Sequence, residues 1–329
     1  MSVLVTGGAG YIGSHAVKLL REAGREVVVV DNLYRGHRTA LPNDIPFYEG
    51  SLQDGDTLAE VFEEEDISEV LHFAGLAYDG ESVDDPLWYY ENNLNASLAL
   101  FSAMSAAGIK KLVFSSTCAT YGEPNEVPIL ETTPQQPINP YGRSKWMVEL
   151  ALRDLVASDP EWSVTSLRYF NVAGCAEDGS LGSDHDPETR VIPLAIKTAL
   201  GRRDSFTVFG HDYDTPDGTC IRDYIHVEDL ARAHLLALDH LTAGEYQFFN
   251  LGIGRGFSVK EVIDSLKRVT GKDLQVEMGA RRAGDPPVLY ADATKIRQTF
   301  GWEPRFTDLD DIVKTAADWF ESHPDGYDE

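Results

Sequence analysis

The amino-acid sequence predicts an α/β fold, a doubly wound parallel sheet followed by a smaller C-terminal α/β lobe. Three observations predict it. β-Branched runs alternate with helical patterns through the N-terminal half, as in a sheet with right-handed crossovers. A glycine-rich turn joins the first strand pattern to the first helix pattern. An aspartate closes the second strand pattern, where folds of this class open their ligand crevice.

In order, Val3–Thr6 reads as a strand, Ile12–Ala23 as a helix and Glu26–Asp31 as a second strand. Val27-Val28-Val29-Val30 lacks polar alternation, as in a parallel strand covered on both faces. Further strands are expected at Phe47–Glu49, Glu69–Phe73, Lys111–Ser115 and Ser163–Arg168, with helices between them at 57–65, 87–107 and 142–158. After Asn171 the rhythm loosens, and 174–190, rich in Gly, Ser and Asp, reads as a loop. Helical stretches follow near 191–201, 227–242, 258–270 and 307–322, with short strands between them. The expected division is a first domain over 1–172 and a second over 173–329, with 220–252 able to pack back on the first.

A chain of 329 residues, 43% hydrophobic and 25% charged, can bury a full core. No apolar run is long enough to span a bilayer, and the strand pattern Val3-Leu4-Val5 starts too early for a signal peptide. Cys118, Cys175 and Cys220 show neither CxxC nor zinc spacing, so a reducing cytoplasm is expected. Acidic residues outnumber basic ones 54 to 28, a formal charge of −26. That field repels phosphate backbones and anionic lipid, so neither nucleic acid nor membrane is expected as a partner. A nucleotide is still admissible, because a few arginines can dominate a cleft. The acid surplus fits a salt-rich cytoplasm or a merely acidic protein. Residues 209–218 carry alternating aspartates before a glycine, like a calcium loop, but lack its closing Glu; no metal is expected.

Gly7-Gly8-Ala9-Gly10-Tyr11-Ile12-Gly13 fits G-x-G-x-x-G from Gly8 and G-x-x-G-x-x-G from Gly7. Such a turn lets backbone N–H groups approach a pyrophosphate at a helix N-terminus, the Rossmann-type dinucleotide site. Asp31, 18 residues beyond Gly13, is placed to bind ribose hydroxyls and to repel a 2′-phosphate. NAD is therefore expected over NADP, which nearby Arg35 and Arg38 keep open.

Segment 111–122 (KLVFSSTCATYG) runs from a strand into Ser115, Ser116 and Thr117, at the strand end that faces the crevice. Asn139 and Pro140 then open a helix on which Tyr141 and Lys145 share a face. Of 14 tyrosines, only Tyr141 has a lysine four residues on. An ammonium beside a phenol favours the phenolate, so Lys145 and a positive nicotinamide are expected to lower the Tyr141 pKa. Tyr141 would then accept the proton as an alcohol gives hydride to NAD.

The blocks LVTGGAGYIGSH (4–15), DNLYRGHR (31–38), HFAGLAYDGES (72–82), YYENN (89–93), FSSTCATYG (114–122), PYGRSK (140–145), LRYFNVAG (167–174), IRDYIHVEDLA (221–231) and RRAGDPP (281–287) go further. Through them the chain resembles the extended short-chain dehydrogenases/reductases, and among these the UDP-glucose 4-epimerase family, over nearly all of its length. The resemblance implies an isomerase of carbohydrate (galactose) metabolism that epimerises a UDP-hexose at C4 through a transient 4-keto sugar. Tyr141 would be the base, Thr117 would bond the sugar hydroxyl and Lys145 would hold the nicotinamide ribose. Implied cofactor positions are Gly7, Gly10, Tyr11, Ile12, Gly13, Asp31, Asn32, Ser51, Leu52, Phe73, Ala74, Gly75, Asn92, Ser115 and Phe170, with Tyr141 and Lys145. Implied UDP-sugar positions are Thr117, Tyr141, Asn171, Arg190, Val191, Phe209, Arg222, Arg282, Asp285 and Leu289. A homodimer paired through 87–107 and 142–158 is also implied.

The match departs at four places. Ser51 stands where an Asp usually bonds adenine, and Ala77 where some members carry a lysine. Arg190 replaces Asn or His, and Leu289 replaces a bulky gate Tyr, which suggests tolerance of UDP-N-acetylglucosamine. A 4,6-dehydratase would need an Asp-Glu pair after Thr117, where Cys118 and Ala119 stand. Epimerisation of UDP-xylose or UDP-arabinose remains open. A regulator that binds NAD without turnover would need no Tyr–Lys pair.

Overall fold

The structure, a computed structural model, describes residues 1–282 and 285–327. The first half contains β1 (Ser2–Thr6), α1 (Tyr11–Glu22), β2 (Glu26–Asp31), β3 (Phe47–Glu49), α2 (Gly55–Glu64), β4 (Ile67–His72), α3 (Asp79–Asp84), α4 (Pro86–Tyr89), α5 (Ala96–Ala106), β5 (Lys111–Thr117), α6 (Pro140–Ser158) and β6 (Ser163–Tyr169). Then come β7 (Asn171–Ala173), α7 (Val191–Ala199), β8 (Phe206–Phe209), β9 (Ile221–Arg222), β10 (Tyr224–His226), α8 (Val227–Asp239) and β11 (Tyr246–Leu251). The chain ends with β12 (Phe257–Ser258), α9 (Val259–Thr270), β13 (Val276–Gly279), β14 (Val288–Leu289), α10 (Thr294–Phe300) and α11 (Leu309–Ser322).

Seven strands form one parallel sheet in the order β11-β6-β5-β4-β1-β2-β3. Side chains alternate across each strand, so the apolar run of β2 serves two cores at once. Val27 and Val29 pack with Val3 and Val5 under α1 and α8, while Val28 and Val30 pack with Leu4 under α2, α5 and α6. The chain leaves β1 towards β2 and β3, then returns to β4 and proceeds the other way. The order therefore reverses between β1 and β4, and the crevice at their carboxyl ends is where doubly wound sheets bind ligands.

Residues 227–251 supply α8 and β11 to this sheet, with Tyr246–Leu251 running beside Val164–Tyr169. A separate core gathers α7, α9 and α11 around Phe206, Val208, Phe257, Ile312 and Trp319. Small strand pairs (β8 with β13, β12-β9-β14, β7 with β10) edge it.

The expected elements lie where the pattern placed them, with shifted ends. Asp79–Asp84 and Thr294–Phe300 form short helices that the pattern did not suggest, because six or seven residues carry too little periodicity to detect. The 87–107 helix is continuous as Pro86–Ala106, but Tyr90–Asn95 winds as a π-helical turn. Such turns occur often at functional sites.

Candidate functional site

The glycine turn leaves β1 and enters α1 with no side chain capping the helix, so its first N–H groups face the crevice. Gly7 has φ +70°, and a Cβ there would sit 2.6 Å from the Ala74 nitrogen. A Cβ on Gly13 would collide with the Gly7 carbonyl. Backbone thus approaches backbone where a side chain would block the groove. Asp31 fixes the turn, its carboxylate accepting from the Ala9 and Leu33 N–H groups at 2.9 Å each. Burial pushes the Asp31 carboxyl up, and these backbone donors oppose it.

One groove collects most of the expected cofactor residues. Gly7, Gly10, Tyr11, Ile12 and Gly13 form its floor, with Asp31, Asn32, Ser51 and Leu52 on one wall. Phe73, Ala74, Gly75 and Asn92 form the other wall, which ends at Tyr141 and Lys145. Ser115 and Phe170 lie behind it. The Ser115 hydroxyl accepts from Tyr169 (3.2 Å) and meets His234 Nε2 (3.1 Å), while Phe170 packs with Tyr121, Ile129 and Ala291. His234 Nδ1 lies 2.9 Å from the Leu230 carbonyl, so it donates there and Nε2 accepts.

α6 begins where the crevice needs it. Asn139 accepts from the Gly142 N–H (2.8 Å), Pro140 takes the first helical position, and Tyr141 and Lys145 follow on one face. Tyr141, Lys145 and Thr117 are 7%, 5% and 5% exposed. Lys145 Nζ donates to the Ser115 carbonyl (3.1 Å) and lies 4.9 Å from the Phe114 ring centroid. Burial lowers the Lys145 pKa to about 8. The Thr117 hydroxyl accepts from the Ala119 N–H (3.1 Å).

The Tyr141 phenol carries a burial cost that the sequence did not reveal. Burial, then the neighbouring Tyr169, drives its pKa well above the ordinary value, and only the Thr117 hydroxyl draws it back appreciably. The protein shell alone does not prepare a phenolate, because stripping water from an anion outweighs what the Thr117 hydroxyl returns. A positive charge held within the groove would act in the opposite direction.

The expected sugar-nucleotide residues make the following contacts. Arg222 pairs with Asp285, Leu289 runs beside Arg222, and the Arg282 guanidinium lies 4.0 Å from the Phe209 ring centroid. Within the 281–287 block, 283–284 fall outside the described residues. Asn171 opens β7, its N–H donating to the Asp223 carbonyl. The Arg190 guanidinium lies 5.1 Å from the Tyr11 ring centroid and is bonded to Glu188 and Ser183, and Val191 starts α7.

Tyr34, Tyr78, Tyr169 and His185 also line the groove and were not singled out from the sequence. Tyr169 could have been, since it ends β6 as Thr117 ends β5. Arg35 and Arg38 both have partners within the protein. Arg35 pairs with Glu81 (2.6 Å), and Arg38 donates to the Leu41 and Pro42 carbonyls. The three cysteines are free thiols, and among the described residues no His, Cys, Asp and Glu cluster could hold a metal. Among the described residues no helix is long and apolar enough to cross a membrane.

A narrow backbone cradle at a helix N-terminus, a buried carboxylate one strand over and a phenol–ammonium pair at the far end fit NAD. The match to known proteins agrees. Residues 3–252 match the family model described as NAD dependent epimerase/dehydratase family. UDP-glucose 4-epimerase of Lacticaseibacillus casei is 48% identical, covering 99% of each chain. The crystal structure of UDP-glucose 4-epimerase from Bifidobacterium longum in complex with NAD+ and UDP superposes with TM-score 0.95 at 40% identity, covering 99% of this chain and 100% of that one. The UDP-Glc/GlcNAc 4-epimerase of Campylobacter jejuni superposes with TM-score 0.86 at 46% identity, covering 98% and 99%.

Proposed function

The chain belongs to the NAD dependent epimerase/dehydratase family, and on that premise we propose how its groove works as an NAD-dependent UDP-hexose 4-epimerase. The reaction interconverts UDP-glucose and UDP-galactose through a transient 4-keto sugar, with no net redox change. Bound NAD supplies reversible hydride acceptance at the sugar C4. Tyr141 takes the 4-hydroxyl proton, helped by the hydrogen bond that Thr117 gives the same oxygen, and returns a proton when the keto group is reduced on its other face. Lys145 binds the nicotinamide ribose and keeps positive charge beside the phenol. Arg222 and Arg282 hold the diphosphate while the keto sugar turns, and Asp285 and Asn171 hold the nucleotide end. The observation that carries this reading is the convergence of Tyr141, Lys145 and the glycine turn on one groove.

A second reading concerns the sugar. Leucine at 289 leaves more room than a tyrosine, which supports turnover of UDP-N-acetylglucosamine beside UDP-glucose. Incubating the protein with UDP-galactose, UDP-N-acetylglucosamine and UDP-xylose, with chromatography of the products, tests both readings. UDP-glucose from UDP-galactose is expected, and its absence would overturn the assignment. An untouched acetylated sugar would remove the second reading alone.

We also assign the chain a homodimer. Val83, Leu87, Leu98, Met147 and Leu150 are exposed on α3 to α6, and an apolar face of that kind supports pairing across a two-fold axis.

A further inference from the structure

We propose that Arg35 is a pyrophosphate-holding residue, clasped across the groove by Glu81 and Tyr78, and that this clasp sets how slowly the dinucleotide leaves. In the sheet, β1 lies between β4 and β2. Arg35 follows β2, Tyr78 and Glu81 follow β4, and the glycine turn follows β1, so a bond from Arg35 to Glu81 crosses above that turn. The crossing is well defined. Arg35 Nη2 donates to Glu81 Oε1 at 2.6 Å, and the guanidinium lies 4.1 Å from the Tyr78 ring centroid.

Both ends are anchored. Glu81 Oε2 accepts from the Tyr89 hydroxyl (2.6 Å), which accepts from the Tyr78 N–H (2.9 Å). The Tyr78 hydroxyl donates to the Pro187 carbonyl (3.1 Å), tying the clasp to the loop before α7. On the other side, the His37 N–H donates to the Ala9 carbonyl at 3.0 Å, seating residues 36–37 on the glycine turn itself.

The charge argument runs the same way. A pyrophosphate brings negative charge into a chain of formal charge −26. Among the described residues, only Arg35 and Lys145 bring a Lys or Arg side chain to the groove, and Lys145 is bonded to the Ser115 carbonyl. Arg35 is thus the groove-lining cation on the β2 side of the turn, and its release requires breaking the Glu81 and Tyr78 contacts together.

The inference rests on NAD occupying this groove. The test follows exchange of bound, isotopically labelled NAD against excess unlabelled NAD, with thermal melts of each holoenzyme. Arg35→Met should exchange on the order of tenfold faster, as loss of a charge-assisted and cation–π contact predicts. Arg35→Lys should fall between the two, and adding Glu81→Gln to Arg35→Met should bring little further change. Exchange at the parent rate in Arg35→Met, or fully additive effects, would overturn the clasp. Should Arg35→Met fail to fold, Tyr78→Phe, which removes one hydroxyl, must still accelerate exchange. A parent chain carrying no dinucleotide would count against the NAD reading instead.

Discussion

Lys145 is the residue at which the proposed function and stability oppose each other. It is 5% exposed, and burial lowers its pKa to about 8 from the usual 10.5. Below pH 8 the folded chain must hold a desolvated ammonium, at a cost of roughly 3 kcal/mol by the size of that shift. A lysine with a depressed folded pKa binds fewer protons folded than unfolded between pH 8 and 10.5. Parent stability therefore rises with pH across that window relative to a variant without the amine. Lys145→Met should be more stable than the parent near pH 7, with the difference shrinking towards pH 10.5, while turnover collapses; urea midpoints at both ends measure it. A variant less stable at pH 7 would contradict the account. The four-residue spacing, read with the hydroxyl strand and the glycine turn, pointed to Lys145 and its partner Tyr141. It could not give the direction of the Tyr141 shift, because four-residue spacing records proximity and says nothing of desolvation.

At the level of elements, α6 carries the proposed catalytic pair, and two devices fix it. Its first turn is capped by Asn139, whose Nδ2 also donates to Asp79 Oδ1 (2.8 Å). Its middle is held to β6 by a buried pair between Glu149 and Arg168, which also engages Ser116 and Tyr121. Asn139→Ala should cost about 1 kcal/mol and lower kcat, whereas Asn139→Ser, which keeps a capping oxygen and brings no charge against Asp79, should lose less. Equal losses in the two variants would remove the cap from the argument. The cap was legible because Asn-Pro before a helical pattern is a local signal. The Glu149–Arg168 pair was not, since its partners are 19 residues apart and meet only once α6 folds back on β6. The contact of Arg190 with Tyr11 was not legible for a related reason, since the two are far apart in sequence.

At the scale of the molecule, the sheet was readable because β-branched strands and amphipathic helices announce themselves over long windows. The second core was harder, since its strands are two to four residues long and pair across large separations. The fold also leaves Leu87 71% exposed on the helical face assigned to the dimer. Leu87→Glu should yield monomers by light scattering; an unchanged dimer would place the interface elsewhere. With a formal charge of −26, self-repulsion should make the melting temperature rise as salt increases from about 0.05 M to about 1 M. A flat or falling melt would show that the acid surplus is already balanced locally.

The most direct test of the central claim compares UDP-galactose turnover by the parent and by Tyr141→Phe, matched for bound NAD. The account predicts undiminished NAD content and a rate reduced on the order of a hundredfold or more. A Tyr141→Phe enzyme that interconverts the sugars at the parent rate would contradict it.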